Sequence, residues 1–151
     1  MSEELGFESA VTISDGIRKK KYSSVEVATY FLNRINLLNS QTNSFTTITD
    51  DLALETARHL DALTAKGKSM GPLHGVPIGI KDLGDSVKGV RSTFGSVPMK
   101  DFIATETACY VQNLIDAGAV IVGKTNTPEF GHKGITDNYV AGATSTPFDL
   151  S

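Results

Sequence analysis

The chain has 151 residues, a hydrophobic content of 40% and a formal net charge of −3, which suits a globular domain with a packed core. The slightly acidic balance excludes the basic surface of a nucleic-acid-binding protein, and no apolar stretch is long enough to cross a membrane. The single cysteine, Cys109, excludes an intramolecular disulfide, and the acidic N-terminus has no apolar signal segment. We therefore expect a cytoplasmic protein with neither a nucleic-acid nor a membrane partner.

Apolar periodicity predicts helices and short strands in alternation along the chain. In chain order, the predicted elements are a helix over 9–20, a helix over 25–38, a strand over 45–49, a helix ending near 66, a strand over 76–81, a helix over 105–117 and a strand over 119–122. Ser23 and Glu26 form a capping-box pattern, Asp50 or Asp51 is expected to cap the third helix, and Gly118 is expected to end the last one. This alternation predicts an α/β fold with at least some parallel strand pairing.

The run over 71–82, Gly-Pro-Leu-His-Gly-Val-Pro-Ile-Gly-Ile-Lys-Asp, places Lys81 at the end of an apolar strand. Pro77 and Gly79 share its face of the strand, so only compact residues stand beside the amine and a reacting group has room to approach. Burial at this position would disfavour the ammonium form and make the amine a usable base. The alternative is a solvated strand end. Asp82 points to the opposite face, and we assign it a structural role.

Several segments resemble the amidase signature family. The run over 71–82 resembles the segment that carries the family's catalytic lysine, and residues 117–131 are similar to its second long block. Residues 137–138 and 146–150 match the approach to the family's serine loop, and similarity extends from about Ser9 to the end of the chain. The family comprises hydrolases and transferases that cleave carboxamide C–N bonds with a lysine and two serines, on a central mixed sheet covered by helices.

The resemblance implies that Lys81 accepts a proton from a bridging serine, which in turn deprotonates the nucleophilic serine that attacks the amide. The family's Gly- and Ser-rich loop, which supplies the bridging serine and is followed by the nucleophilic serine, does not occur in this sequence. Ser151 lies before that loop and has no flanking glycines. We therefore expect residues 1–151 to be the N-terminal portion of a single amidase domain, with the remainder of the domain and of its sheet beyond them.

Such a chain would supply only the lysine base and would be inactive by itself. A complementing C-terminal part would be its partner, and a small-molecule amide would be the substrate of the complete enzyme. Two other accounts remain open, namely one part of a split enzyme and a non-catalytic binding module. The two buried strands would belong to a larger sheet whose other members lie beyond Ser151, so we expect their edge to expose unpaired backbone and apolar faces.

Thr125 and Asn126 follow the second buried strand, where open α/β sheets commonly bind ligands. They are candidates to line the substrate pocket. The alternative is a loop that is fixed by Asn and Pro turn chemistry.

A rival interpretation comes from the residues from Gly118 to Thr125, which satisfy the spacing of a phosphate-binding P-loop with Lys124 at the lysine position. That loop must follow a strand and open a helix whose amides bind phosphate. Here residues 119–122 are themselves the predicted strand and a helix precedes them. We therefore expect no nucleotide binding at Lys124.

The histidines do not form a metal-binding or catalytic pattern. His59, His74 and His132 are dispersed, and Glu129 with His132 is a single Glu-x-x-His pair without the second pair that a carboxylate metal site needs. No Gly-x-Ser-x-Gly turn is present to place a serine for a Ser-His-Asp triad. The sequence therefore predicts neither a metal nor a cofactor.

Overall fold

The computed structural model describes residues 3–148, so Asp149, Leu150 and Ser151, at the end of the segment that resembles the approach to the serine loop, lie outside the described part. In chain order the main elements are α1 (Ala10–Arg18), α2 (Ser24–Thr42), β1 (Phe45–Ile48), α3 (Asp50–Ala65), β2 (Pro77–Lys81), α4 (Cys109–Asp116) and β3 (Val120–Thr125). Short 3₁₀ helices occur at Glu3–Phe7, Val97–Met99 and Glu129–Gly131. The predicted α/β class is confirmed, because helices alternate with the strands of one mixed sheet.

The strands form a single sheet in the order β1-β3-β2. Strand β2 runs parallel to β3, with Lys81 opposite Thr125, and β1 runs antiparallel to β3. The parallel pairing predicted for the two buried strands is therefore confirmed. Within the described residues, β1 and β2 each have a hydrogen-bonded neighbour on one side only, so both are edge strands.

The central strand β3 is apolar on both faces, because helices or loops cover both sides of the sheet and its side chains point to the two sides in turn. Val120 and Val122 pack against α2 and α3, whereas Ile121 packs on the opposite side with α4 and the segment after β2. The partners of the first layer include Ala28, Leu32, Ala53, Ala57 and Leu60, and those of the second include Ile80, Val87, Val90 and Val111. Alanines at the first interface allow the two helices to approach the sheet closely.

The start of α2 is capped by its own side chains, whereas the start of α3 is not. At α2, the Ser23 hydroxyl accepts a hydrogen bond from the Glu26 amide at 3.0 Å and the Glu26 carboxylate accepts one from the Ser23 amide at 2.7 Å, which confirms the capping box. The cap predicted for α3 is wrong, because Asp50 and Asp51 lie in its first turn and Thr49 is the N-cap. The Thr49 hydroxyl instead donates to the Ile121 carbonyl at 2.9 Å and ties the helix start to β3.

Helix α4 begins later than the predicted position near residue 105. The Lys88 amide donates to the Thr107 hydroxyl at 3.0 Å, and the Ala108 amide donates to the Ser86 carbonyl at 3.0 Å. These bonds hold the residues before Cys109 against the segment that follows β2, and Ala108 has an extended backbone with a ψ of 139°, so the helix begins at Cys109. No helix within residues 3–148 has the length and apolar character needed to span a membrane.

Candidate active site

Lys81 is the last residue of β2, as predicted, and its side chain is exposed. Gly79, two residues earlier on the same face, is also exposed, whereas Ile80 between them is buried. A Cβ at position 79 would lie 2.9 Å from Thr125 Cγ2 and 3.2 Å from Phe45 Cε1, so a larger residue would force these side chains to move. The predicted compact face is present. The burial that would favour a neutral amine is not provided by residues 3–148.

Thr125 and Asn126, the two candidates for substrate contact, have different positions. Thr125 lies opposite Lys81 in the parallel register and is half-buried, with its methyl group against Gly79. Thr125 and Lys81 therefore border the same part of the sheet face. Asn126 is buried beyond the end of β3 and faces the loop that follows.

Every hydrogen-bonding position of the Asn126 side chain is used within the protein. Its amide nitrogen donates to the Gly142 carbonyl at 3.1 Å and to the Thr144 hydroxyl at 3.0 Å. Its oxygen accepts from the Thr127 amide at 2.9 Å and from the Asn138 side chain at 2.7 Å. Since an asparagine side chain offers two donors and one carbonyl oxygen with two lone pairs, no capacity is left for a ligand. This arrangement favours the alternative in which Asn126 fixes a loop.

Asp82 is completely buried and its carboxylate holds the segment that follows β2. It accepts hydrogen bonds from the Thr93 amide at 2.9 Å and from the Thr93 hydroxyl at 2.6 Å. The burial of Asp82 and the exposure of Lys81 agree with the predicted opposite orientations of the two side chains. These contacts support a structural role for Asp82.

Lys124 is completely buried, which the sequence did not predict. Its side chain is completely buried on β3, and its ammonium group donates to the backbone carbonyl of Asp85. Burial lowers the pKa of the Lys124 ammonium below its ordinary value, while the nearby charges of Asp82 and Asp85 act in the opposite direction. The only sequence signal was a lysine that interrupts an otherwise apolar strand.

The P-loop interpretation of the segment from Gly118 to Thr125 has no support in this geometry. Gly118 ends the turn after α4, and Val120–Thr125 is strand β3, so the segment is a helix-to-strand connection as predicted. A phosphate-binding loop needs the reverse order, with a helix that starts after the loop. The buried amine of Lys124 is directed to a backbone carbonyl of its own chain.

A groove of about 290 Å³ opens between α2 and the face of the sheet that carries Gly79. Its lining is mostly apolar and comprises Phe31, Arg34, Ile35, Leu38, Asn39, Thr42, Ser44, Phe45, Pro77, Gly79 and Val122. Gly79, which lines the groove, is on the same face of β2 as Lys81, although Lys81 itself does not line it.

The histidines are not grouped with Lys81. His74 is completely buried, where its Nδ1 accepts from the Met70 amide at 3.2 Å and its Nε2 lies 2.8 Å from the Thr64 hydroxyl. His59 and His132 are exposed. Within the described part of the chain, no three His, Cys, Asp or Glu residues are placed to hold a metal ion.

Comparisons with known proteins agree on one family. The amidase family model matches residues 26–151. The acylamidase of Rhodococcus erythropolis is 37% identical over 148 residues, a match that covers 98% of this chain and 31% of the relative. A glutamyl-tRNA(Gln) amidotransferase subunit from Carboxydothermus hydrogenoformans is 39% identical over 147 residues, which is 97% of this chain and 30% of that relative.

Solved structures give the same result. The crystal structure of a bacterial aryl acylamidase of the amidase signature family superposes with a TM-score of 0.90 at 31% identity, over 95% of this chain and 30% of the aryl acylamidase. The chain thus spans about 30% of the length of the relatives that it matches. By sequence and by fold, the chain belongs to the amidase signature family.

Proposed function

We propose that this chain supplies the lysine base of an amidase that hydrolyses carboxamide C–N bonds through a lysine and two serines. Residues 1–151 would form the N-terminal portion of a single amidase domain. The serines would come from the part of the family's length that this chain does not span. The substrate would be a small-molecule amide.

One observation carries the proposal, namely the position of Lys81 in a member of the amidase family. Lys81 ends β2 at the carboxyl edge of a parallel strand pair, where α/β sheets commonly bind ligands, and its side chain is accessible. Lys124, at the end of the adjacent strand, is buried and bonded to a backbone carbonyl. Of these two lysines, only Lys81 is open to a substrate.

In the proposed reaction the neutral amine of Lys81 takes the proton of the bridging serine, which takes the proton of the nucleophilic serine. The nucleophilic oxygen then bonds to the amide carbon, and the leaving nitrogen receives a proton as the C–N bond breaks. Water next attacks the acyl-serine and loses its proton along the same relay. The products are a carboxylic acid and ammonia or an amine, and both serines are regenerated.

Hydrolysis is proposed over transfer because it needs no second substrate. The relatives include both an acylamidase and a subunit of an amidotransferase, so the names of proteins similar to this chain cover both hydrolysis and amide transfer. Sustained release of ammonia from a primary amide without any added acceptor would indicate hydrolysis, because transfer needs a second substrate to receive the nitrogen.

The experiment is a fusion of this chain to the part of the Rhodococcus erythropolis acylamidase that follows the region it matches. Lys81→Ala should lower ammonia release from simple carboxamides by about 10²–10⁴-fold, the contribution of a general base. Lys68→Ala, which removes an exposed lysine before β2, is the matched control and should leave turnover unchanged. Turnover of Lys81→Ala close to that of the unmodified fusion, with equal folded fractions by circular dichroism, would remove Lys81 from the mechanism.

A further inference from the structure

We propose that Lys124 and Asp82 are a buried pair of opposite charges that positions the candidate base Lys81 and offsets the negative charge next to it. The proposal rests on the proposed function, because it assigns two positioning residues to the same reaction. Both side chains are completely buried, so they act through the end of β2 and touch no substrate. Three features of the described residues support this role.

The first feature is the burial of both charges on the same side of the sheet. The Asp82 carboxylate accepts hydrogen bonds from the Thr93 amide and hydroxyl, and from the Thr46 hydroxyl at 3.3 Å, and none of these donors is charged. A buried carboxylate also needs a compensating positive charge. Burial lowers the pKa of Lys124, and the attraction of Asp82 is the larger of the two charge effects that oppose this change. The two side chains therefore interact as charges.

The second feature is that both residues hold the backbone that follows Lys81. The Asp82 amide donates to the Thr125 carbonyl of β3 at 2.9 Å. The side chain of Lys124, also on β3, donates to the carbonyl of Asp85. This short segment is thus tied to β3 at both ends. Because Lys81 immediately precedes the tied segment, the bonds fix the direction in which β2 presents the candidate base.

The third feature is the adjacency of Asp82 to Lys81 in the chain. A carboxylate close to an amine favours the charged ammonium form, which cannot accept a proton. Lys124 presents a positive charge to the same carboxylate, so the two charges oppose each other at Lys81. The neutral amine that the proposed reaction needs is then easier to form.

Two further groups face Lys124 and complete its surroundings. Asp85, in the segment after β2, attracts Lys124 by its charge and is only half-buried. Tyr110 of α4 is hydrogen-bonded to the Asp85 carboxylate, and burial together with this contact raises the pKa of Tyr110 to about 12. Tyr110 therefore stays neutral near pH 7. Since Asp85 keeps contact with water and Asp82 does not, Asp82 depends more strongly on Lys124.

The first test measures the charge pair in the full 151-residue chain by urea unfolding at pH 7. Lys124→Met keeps an unbranched side chain without the charge, so Asp82 is left uncompensated and the urea midpoint should fall. Asp82→Asn should lower the midpoint less in the Lys124→Met background than in the unmodified chain. If Lys124→Met alone does not fold, the double variant should regain the fold. Additive losses, or a double variant that is no more stable than Lys124→Met, would overturn the proposal.

The second test measures the effect on the candidate base in the fusion with the Rhodococcus erythropolis acylamidase part. The pH dependence of kcat/KM should show an activity that rises as the base loses its proton. In Lys124→Met the midpoint of this rise should lie at least about 0.5 pH unit higher, because the uncompensated carboxylate favours the ammonium form. Adding Asp82→Asn should move the midpoint back. Lys68→Met, at an exposed lysine before β2, is the matched control and should leave the midpoint unchanged.

The pH profile separates positioning from mere structural support. A folded Lys124→Met fusion whose turnover falls while its midpoint stays in place would reduce Lys124 to structural support and contradict the proposal. Lys81→Ala separates this proposal from the proposed function. Retained turnover in Lys81→Ala would contradict the assignment of the base and the link to Lys81, whereas the unfolding experiment would still decide whether the two buried charges form a pair.

Discussion

At the residue scale, two lysines at the ends of adjacent strands have opposite environments because of the strand pleat. Ile80 is opposite Lys124 and Lys81 is opposite Thr125 in the parallel register. The register shifts between the pairs Ile78–Ile121 and Gly79–Gly123, so Lys124 points to the side of the sheet that contains Ile80 and Asp82 and not to the side of Val122, whereas Lys81 points to the open side. Alternation along β2 was sufficient to predict the face of Lys81. The burial of Lys124 was not predictable, because its partner is the backbone carbonyl of Asp85 in a distant loop.

The partners of Asn126 could not be predicted from the sequence either, because they also come from distant residues. Its position after a buried strand left ligand contact and a loop role equally open, and its hydrogen-bond partners come from residues 43, 127, 138, 142 and 144. Nothing in the sequence near Asn126 indicates that a later loop folds back onto it. Asparagine is common in both kinds of site, so its residue type cannot decide between them.

His74 gives a prediction for the pH dependence of stability. Its Nδ1 must be unprotonated to accept from the Met70 amide, and burial lowers its pKa, an effect that exceeds the opposing attraction of Asp61. Because the folded-state pKa is below the unfolded value of about 6.5, the unfolded chain binds more protons. The stabilisation by neutral His74 is therefore fully present above that value and is lost as the pH falls toward the folded-state pKa.

We expect the urea midpoint of unfolding to fall between pH 7 and pH 5. His74→Gln should remove most of this decrease, although it lowers stability at both pH values. His59→Gln is the control, since His59 is exposed on α3 and its substitution should leave the decrease intact. An unchanged pH dependence in His74→Gln would show that other groups cause it.

At the scale of elements, helices and strands were predictable where their signals are local. The apolar periodicity of α2 and its capping box are contained within the segment itself, and the helix was found. Its polar last turn extends the helix to Thr42, beyond the predicted end near residue 38. The start of α4 was predicted too early, since Lys88 and Ser86 bind Thr107 and Ala108 before the helix. The cap of α3 was wrong because the helix starts one residue earlier than assumed, after Thr49, whose hydroxyl binds the Ile121 carbonyl.

The connection between α4 and β3 requires glycine for two separable reasons. Gly118 ends the helix as predicted and has a φ of 95°, a conformation that side chains disfavour. A Cβ at this position would also lie 2.7 Å from the Cα of His74. The turn therefore holds α4 and β3 against the segment that enters β2.

Two substitutions separate backbone strain from steric overlap. Gly89→Ala, at a φ of 80° with nothing within 4 Å of the added Cβ, should cost about 1–2 kcal/mol for the left-handed conformation alone. Gly118→Ala should cost at least about 3 kcal/mol, because backbone shifts are needed in addition. Urea unfolding at pH 7 measures both. Equal costs would mean that the contact with His74 relaxes freely.

At the scale of the molecule, the order of the strands was beyond the reach of sequence patterns. Hydrophobic periodicity predicts strands one at a time, and the parallel pair followed from the helix between them. Nothing in residues 45–49 indicated that β1 would pair with β3 on the side away from β2. The groove beside α2 depends on that order, so the sequence predicted exposed apolar faces without predicting where they would meet.

The central claim is that this chain provides a base and that the nucleophile comes from elsewhere in the amidase fold. The direct measurement is ammonia release from aliphatic and aromatic carboxamides by the purified 151-residue chain, with and without the complementary acylamidase part, for the unmodified protein and for Lys81→Ala. The account predicts no release above the buffer rate by the chain alone, because a base without a positioned nucleophile has nothing to activate. It predicts release that depends on Lys81 when the complementary part is present. Robust Lys81-dependent release by the chain alone would contradict the account and place the nucleophile within these 151 residues.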